Sequence, residues 1–269
     1  MRCDKRTSRG NSAVMDCTDH RTVLNGVSVM AAFSMVGCGG GAEDTAIELS
    51  PAEQLVERSI AFHDPDSIWV RKRLHIAWYG TSGDGEERVN VQLVLDPGQS
   101  KFGLSGRYRG STIEYETDGS SWKATVDGTD ELDQETMERM RLQREDGLFW
   151  RSYYGFLAGL PMKLRDPGTR IESAITRTTF NDRDVVSIRV EYDAEVGNDT
   201  WYFYFDPETA QLMGCRFYHD ETVNDGEYII FEDLTEVDGL RIPRHRRWFV
   251  NADNRFLGAD EVRSIELSS

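Results

Sequence analysis

Two short stretches of the chain place a histidine beside carboxylates, which is the side-chain combination used in acid–base and metal chemistry. His63 and Asp64 lie in one stretch, with Asp66 close by, and His219 lies in another, followed by two more acidic residues. An imidazole near a carboxylate can move a proton or hold a metal ion. Because Pro65 follows, the first stretch is also typical of a helix end and turn. We expect no catalytic residue here, and a hydrolase or metal enzyme using His63, Asp64 and His219 is kept as an alternative.

The thiol of Cys38 has a clearer chemical use. It ends an uncharged run, residues 23–37, and three glycines follow it. About 15 apolar residues are too few to span a bilayer, which takes roughly 20, but they suit an export signal. Met35-Val36-Gly37-Cys38 resembles the lipobox of bacterial lipoproteins. The resemblance implies cleavage before Cys38, transfer of a diacylglycerol to its thiol and acylation of the new amine. A buried core helix over residues 23–37 is the alternative.

Composition limits the remaining possibilities. The 269 residues carry a formal net charge of −16, so the surface repels nucleic acid and anionic membranes. Membrane attachment would then have to come from the lipid on Cys38. Cysteine and histidine do not occur at zinc-ligand spacing, and nucleotide-binding or hydrolase motifs are missing from the sequence. We therefore expect no cofactor, no metal and no nucleic-acid partner.

The chain divides into an export signal at residues 1–37, a flexible tether at residues 38–49 and one domain at residues 50–269. Ser50, Pro51 and Glu53 predict a helix start with a capping box. From Leu74 onward, apolar residues recur at every second position between short turns, which indicates about 11–12 antiparallel strands. A helical insertion is expected near residues 131–160, ending in an aromatic block before Pro161.

An antiparallel sheet with one apolar face must bury that face. The order of elements is similar to that of the bacterial lipoprotein-sorting proteins LolA and LolB. That resemblance implies a mainly β (α+β) fold, a strongly curved antiparallel half-barrel with covering helices. Residues 62–65, 153–169 and 199–207 resemble a family of uncharacterised bacterial envelope lipoproteins. No activity of that family can be carried over to this chain.

Candidate ligand-binding residues are the large side chains on the apolar face and in the aromatic block, together with two arginines of the basic segment at residues 240–250. They are Trp78, Leu93, Tyr115, Trp122, Trp150, Tyr153, Tyr154, Phe156, Met162, Arg244 and Arg246. Strict alternation places Arg244 and Arg246 on the apolar face, where they could bind a lipid headgroup. Salt bridges to other parts of this acidic protein are the alternative, and Pro243 suggests a bulge that would change the register.

The sequence thus predicts a binding protein and not an enzyme. It would be anchored by lipid in the cell envelope, at the outer membrane facing the periplasm. A lipid, an acyl chain or a lipidated partner would occupy the hollow of the sheet, and the identity of any protein partner stays open. A structural envelope lipoprotein whose hollow is filled by its own helix is the main alternative.

Overall fold

A computed structural model describes residues 48–142 and 148–269. The predicted export signal, most of the predicted tether and Cys38 lie outside these residues. The helices are α1 (Pro51–His63), α2 (Ile68–Arg71), α3 (Gln134–Arg139) and α4 (Phe149–Gly159), with short 3-10 turns at Pro97–Gln99, Met162–Arg165 and Glu221–Val223. The strands are β1 (Arg73–Ser82), β2 (Glu87–Asp96), β3 (Lys101–Tyr108), β4 (Ser111–Thr117), β5 (Trp122–Val126), β6 (Thr169–Ile171), β7 (Thr176–Phe180), β8 (Arg183–Tyr192), β9 (Thr200–Phe205), β10 (Leu212–Tyr218), β11 (Glu227–Val237), β12 (Leu240–Val250) and β13 (Phe256–Ser268).

All thirteen strands belong to one antiparallel sheet, in the order β5-β4-β3-β2-β1-β13-β12-β11-β10-β9-β8-β6, with β7 also paired to β8. The last strand, β13, lies between β1 and β12 and so joins the two halves of the chain. The sheet does not close on itself, since β5 and β6 end the order. This arrangement confirms the predicted curved half-barrel. One predicted strand at residues 171–180 is two strands, β6 and β7.

The first helix begins as its sequence predicts. The Ser50 hydroxyl accepts a hydrogen bond from the Glu53 amide at 3.3 Å, and the Glu53 carboxylate accepts one from the Ser50 amide at 2.7 Å. These two bonds satisfy amides that have no partner within the helix. The helix buries Leu55, Val56 and Ile60 against the sheet. Capping thus fixes where α1 starts, and the apolar residues fix which side of it faces the core.

The two faces of the sheet differ in what covers them. We call the face that packs against the helices the inner face; its side chains form one large core that includes Leu74, Ile76 and Leu93. The opposite, outer face carries a smaller cluster of Phe180, Val185, Tyr204 and Ile230, bordered by other aromatic side chains. Strand β9 shows the alternation, because Phe203 and Phe205 are fully buried in the core while Tyr204 belongs to the outer cluster.

The sheet splits between β10 and β11. Their pairing ends at Gly214 and Ile230, and beyond that point β11 pairs only with β12. Asp233 adopts a left-handed backbone conformation with φ of 54° and is not paired in the ladder. The bulge predicted at Pro243 is wrong, since Pro243 faces Leu234 in the same register as its neighbours. The irregularity lies on the partner strand at Asp233, since Asp tolerates the left-handed region.

Candidate functional site

The inner face is occupied by α4. Trp150, Tyr154, Leu157 and Ala158 recur at helical spacing, so they form one stripe along the helix. Each of these side chains is at most 2% exposed. The Tyr154 ring meets the Trp78 ring edge-on with centroids 5.1 Å apart, and the Trp150 ring meets that of Tyr108 in the same way at 4.7 Å. The hollow of the half-barrel is therefore filled by the protein's own helix.

The structure brings most of the predicted ligand-binding residues into this one core. Trp78, Leu93, Tyr115, Trp150, Tyr154 and Met162 are buried there, and Trp122, Tyr153 and Phe156 are partly buried and pack against it. They line the contact between α4 and the sheet, and Tyr153 also borders a small cavity of about 20 Å³. Their assignment as ligand contacts stays a prediction.

Arg246 is a fully buried charge beneath α4. Its guanidinium donates from Nη1 to the Pro243 carbonyl at 2.9 Å and from Nη2 to the Leu157 carbonyl at 3.0 Å. It also lies over the Trp78 ring, 4.5 Å from the centroid. Leu157 is in the last turn of α4, where carbonyls lack helical partners and carry the negative end of the dipole. Burial lowers the pKa of Arg246 to about 10, so the group stays charged and ties α4 to β12.

The side chain of Arg244 is not buried in the core as that of Arg246 is. Its side chain is exposed and forms an ion pair with Glu261 at 3.4 Å. An exposed pair of this kind contributes little, of the order of 0–1 kcal/mol. The expectation from strict alternation thus holds for Arg246 and is wrong for Arg244, which lies opposite Asp233 and like it is left out of the ladder.

Several polar atoms at the contact between α4 and the sheet are buried without a partner among the described residues. They are Trp78 Nε1, Tyr154 Oη and Arg246 Nε. A buried donor or acceptor without a hydrogen bond costs about 1–3 kcal/mol. The contact is therefore tightly packed but incompletely satisfied in its polar groups.

A second group of buried charges lies at one end of the same face. Asp260 is 2% exposed; it accepts a hydrogen bond from Trp248 Nε1 at 2.8 Å and pairs with Arg88. Beside them, Arg88, Tyr153, Glu227 and Trp248 surround a cavity of about 20 Å³, which is room for one water molecule. Burial raises the pKa of Glu227 to about 7. Our prediction missed Glu227 and Asp260, although both are carboxylates at positions where alternation along the strand points the side chain inward.

His63 completes the inner face at the split between β10 and β11. Its Nε2 accepts a hydrogen bond from the Leu212 amide at 3.0 Å, so Nδ1 carries the proton and donates to the Arg241 carbonyl at 2.7 Å. Burial lowers the pKa of His63 to about 4. The imidazole is thus held neutral, and each of its two nitrogens forms a hydrogen bond with a backbone group that strand pairing leaves without a partner.

The structure does not bring His63, Asp64 and His219 together as a site. The carboxylate of Asp64 accepts from the amides of Ile68 and Trp69, at 2.6 and 3.0 Å, and so caps α2. His219 bonds instead to Asp199 at 2.7 Å, and that hydrogen bond raises the pKa of His219. Within residues 48–142 and 148–269, no group of three or more potential ligands is placed to hold a metal ion.

Among the described residues, no helix combines the length and the apolar character that a bilayer span requires.

Taken together, the molecule is an open antiparallel half-barrel whose inner face holds a helix and a small set of buried charges. Residues 44–265 match the model of a family of unknown function, DUF6503, and the chain belongs to that family. No curated protein matches its sequence significantly.

Several solved structures are similar to this chain. A LolA superfamily protein from Nitrosomonas europaea has 12% identity and a TM-score of 0.49, over 82% of this chain and 95% of that one. An outer membrane lipoprotein-sorting protein domain from Vibrio parahaemolyticus has 9% identity and a TM-score of 0.47, over 81% and 94%. A DUF1329 family protein from Desulfovibrio piger has 8% identity and a TM-score of 0.43, over 81% and 93%.

Proposed function

We propose that the protein is a lipid-anchored envelope protein that binds an acyl chain, or the chains of a lipidated partner, on the inner face in place of α4. The observation that supports this is the incompletely satisfied contact beneath the helix. Trp78 Nε1, Tyr154 Oη and Arg246 Nε are buried there without a hydrogen-bond partner. A ligand that displaced α4 would find an apolar surface together with these polar atoms.

The energies of the two occupants are comparable. Burying a large apolar side chain contributes about 1.5–3 kcal/mol, so Trp150, Tyr154 and Leu157 together contribute roughly 5–9 kcal/mol. An acyl chain contributes about 0.8 kcal/mol for each buried methylene, so ten to fifteen methylenes give roughly 8–12 kcal/mol. One acyl chain could therefore offset the loss of these α4 contacts.

The membrane anchor rests on Cys38 and the preceding export signal. We place the folded domain at the outer membrane, facing the periplasm, because an acylated N-terminal cysteine would hold it there while its acidic surface adds no electrostatic attraction. Replacing Cys38 by Ser should give an unprocessed or soluble precursor. Membrane retention of a normally processed Cys38→Ser protein would contradict the anchor.

Mass spectrometry of the full protein extracted from envelopes tests the binding function. Under native conditions we expect an added mass of one or more acyl lipids, and under denaturing conditions only the covalent anchor should remain. The Cys38→Ser protein is the matched control, because it lacks covalent lipid and should keep the non-covalent one. Native spectra free of any non-covalent lipid in both proteins would overturn the binding function.

A structural role with a permanently filled hollow is the second candidate. It is favoured by the complete burial of the α4 stripe, with Tyr154 at 0% and Trp150 at 2% exposure. Hydrogen exchange of α4 amides separates the two functions. Added palmitate should speed exchange in α4 if the ligand displaces the helix, whereas unchanged, slow exchange favours the structural role.

A further inference from the structure

A cleft of about 610 Å³ opens on the outer face, where β11 separates from β10. We call it the outer cleft. Its walls are the tip of the β7–β8 hairpin with Phe180 and Arg183, the start of β10 with Met213, and residues 230–234 of β11. Volumes of about 300–1,000 Å³ are typical of ligand sites. This cleft is separate from the inner face and from the function proposed for it.

One wall of the outer cleft is the edge of a strand. Residues 231–234 of β11 have β12 on one side, while β10 has already ended its pairing on the other. In an antiparallel strand, the amide and the carbonyl of one residue point toward the same neighbouring strand, and those of the next residue point toward the strand on the other side. Some amides and carbonyls of this stretch therefore face the cleft instead of a strand of the described chain.

The inner side of the same split is sealed, which leaves β11 as the available edge. The amide of Leu212, at the start of β10, donates to His63 Nε2. From β11, the carboxylates of Glu232 and Asp233 are engaged as well, with Arg247 at 2.7 and 2.8 Å and with His245 at 3.1 Å. What the cleft offers is therefore backbone, together with the apolar side chains of Phe180, Met213 and Ile230.

Arg183 gives the outer cleft a charge preference. It is exposed at the hairpin tip, where it faces Phe180 in the ladder. A backbone hydrogen bond from Thr209 and, more weakly, the charge of Arg183 lower the pKa of Asp206. Because the carboxylates of Glu232 and Asp233 already have partners in Arg247 and His245, the guanidinium of Arg183 can interact with an added carboxylate at this end of the cleft.

We propose that the outer cleft binds an extended peptide segment of a partner protein, added as a strand to residues 231–234 of β11. Main-chain hydrogen bonds to the β11 edge would hold the segment, an apolar side chain would rest on Phe180, Met213 and Ile230, and an acidic residue would face Arg183. This is the mode in which backbone pairing gives affinity while pockets for alternate side chains give specificity.

A synthetic peptide tests the proposal on the full chain. The probe is a fluorescein-labelled hexapeptide of alternating valine and threonine that ends in glutamate. We expect saturable binding in fluorescence anisotropy with a Kd of about 0.1–1 mM. The matched control peptide has the same side chains but N-methylated amides, which removes the donors and should abolish binding. Equal binding of both peptides, or no approach to saturation by about 10 mM, would overturn strand addition.

Protein variants locate the binding site. Arg183→Glu should weaken binding of the glutamate peptide about threefold to fivefold and strengthen binding of a lysine-ended peptide by a similar factor, as expected for an exposed ion pair. Arg177→Glu, on the same hairpin but outside the cleft, is the control and should change neither. Met213→Trp should block the cleft and weaken both peptides. Unchanged binding in both Arg183→Glu and Met213→Trp would place the peptide elsewhere and overturn the proposal.

A second copy of the chain is the other possible occupant. Sedimentation of the full chain separates it from a partner peptide. If the protein dimerises and Met213→Trp makes it monomeric, the β11 edge pairs with itself and the partner-protein proposal is overturned. A monomer at all concentrations that still binds the glutamate peptide supports the proposal.

Discussion

The break between β10 and β11 reaches both the inner and the outer face of this sheet, but it is covered on the inner face and open on the outer face. On the inner face, His63 satisfies the Leu212 amide and the Arg241 carbonyl, and α4 covers the rest of the hollow. On the outer face, the break stays open as the outer cleft. A buried backbone group without a partner is costly, whereas an exposed one can bond to water. The backbone groups on the inner side of the split therefore need hydrogen-bond partners within the protein, whereas those on the outer side are left accessible to other molecules.

The largest loss of stability should come from removing a large side chain that fills the inner face. Trp150→Ala removes a 2%-exposed ring from beneath α4, and a Trp-to-Ala change in a core costs about 3–5 kcal/mol. Phe256→Ala, at a ring that is 39% exposed, is the matched control and should cost less than about 1 kcal/mol. Urea unfolding followed by circular dichroism measures both. A small loss in Trp150→Ala, similar to that of the control, would show that α4 does not stabilise the inner face.

The next effect is a pH dependence that comes from His63. Its pKa is about 4 in the folded protein and 6.5 in the unfolded chain, so the unfolded state binds more protons between these values. The stabilisation is complete above pH 6.5 and is lost as the pH falls towards 4, by about 3 kcal/mol in total. Glu227 acts in the opposite direction, because its raised pKa of about 7 makes stability fall as the pH rises from 4.5 to 7.

Two variants separate these opposing contributions. We expect the free energy of unfolding of Glu227→Gln to rise with pH between 4 and 6.5 relative to that of the double variant Glu227→Gln/His63→Gln. Taking the difference removes the titration of all other groups, including His219. Parallel pH profiles of the two variants would mean that the His63 imidazole is not held neutral as the structure indicates.

Local sequence signals predicted most of the fold. Ser50 and Glu53 gave the start of α1, and alternation gave the strands and their inward faces, because both depend on neighbours only a few residues away. The large side chains of the inner face were recognised for the same reason. Whether they line a cavity could not be predicted, since it depends on where α4 packs, and Trp150 lies far from Trp78 along the chain.

The break in the sheet was harder to predict. Pro243 is the residue that usually interrupts a strand, yet here it keeps its place in the ladder. Asp233, which has a left-handed backbone, is instead the residue of β11 that is left out of the ladder with β12. Asp is only moderately common in that conformation, so its identity alone does not indicate it. The hydrogen bonds of His63 to two distant strands lie at this break, so they could not be predicted from the sequence either.

A smaller effect tests whether the left-handed backbone at Asp233 is required. Asp233→Gly should stay within about 0.5 kcal/mol of the wild type or be slightly more stable, because glycine adopts positive φ readily. Asp233→Val should lose about 1–2 kcal/mol, since a β-branched residue is strained there. Loss of the exposed pair with His245 is common to both variants and cancels in the comparison. Equal stabilities of the two variants would show that this backbone conformation is not required.

The smallest effect concerns the polar atoms beneath α4. Tyr154 Oη is buried without a partner among the described residues, and burial raises the pKa of Tyr154 well above its usual value, so the hydroxyl stays neutral. Tyr154→Phe removes this oxygen and keeps the ring contact with Trp78. We expect the free energy of unfolding to be unchanged or to rise by up to about 1 kcal/mol, because an unsatisfied buried group is removed.

Tyr202→Phe is the matched control, because the Tyr202 hydroxyl donates to Glu221 at 2.7 Å on the other side of the sheet. Its loss should be slightly destabilising, by about 0.5–1.5 kcal/mol. If Tyr154→Phe is instead the more destabilised of the two, the hydroxyl has a hydrogen-bond partner under α4. The contact between helix and sheet would then be fully satisfied, and displacement of α4 by an acyl ligand would lose its main support.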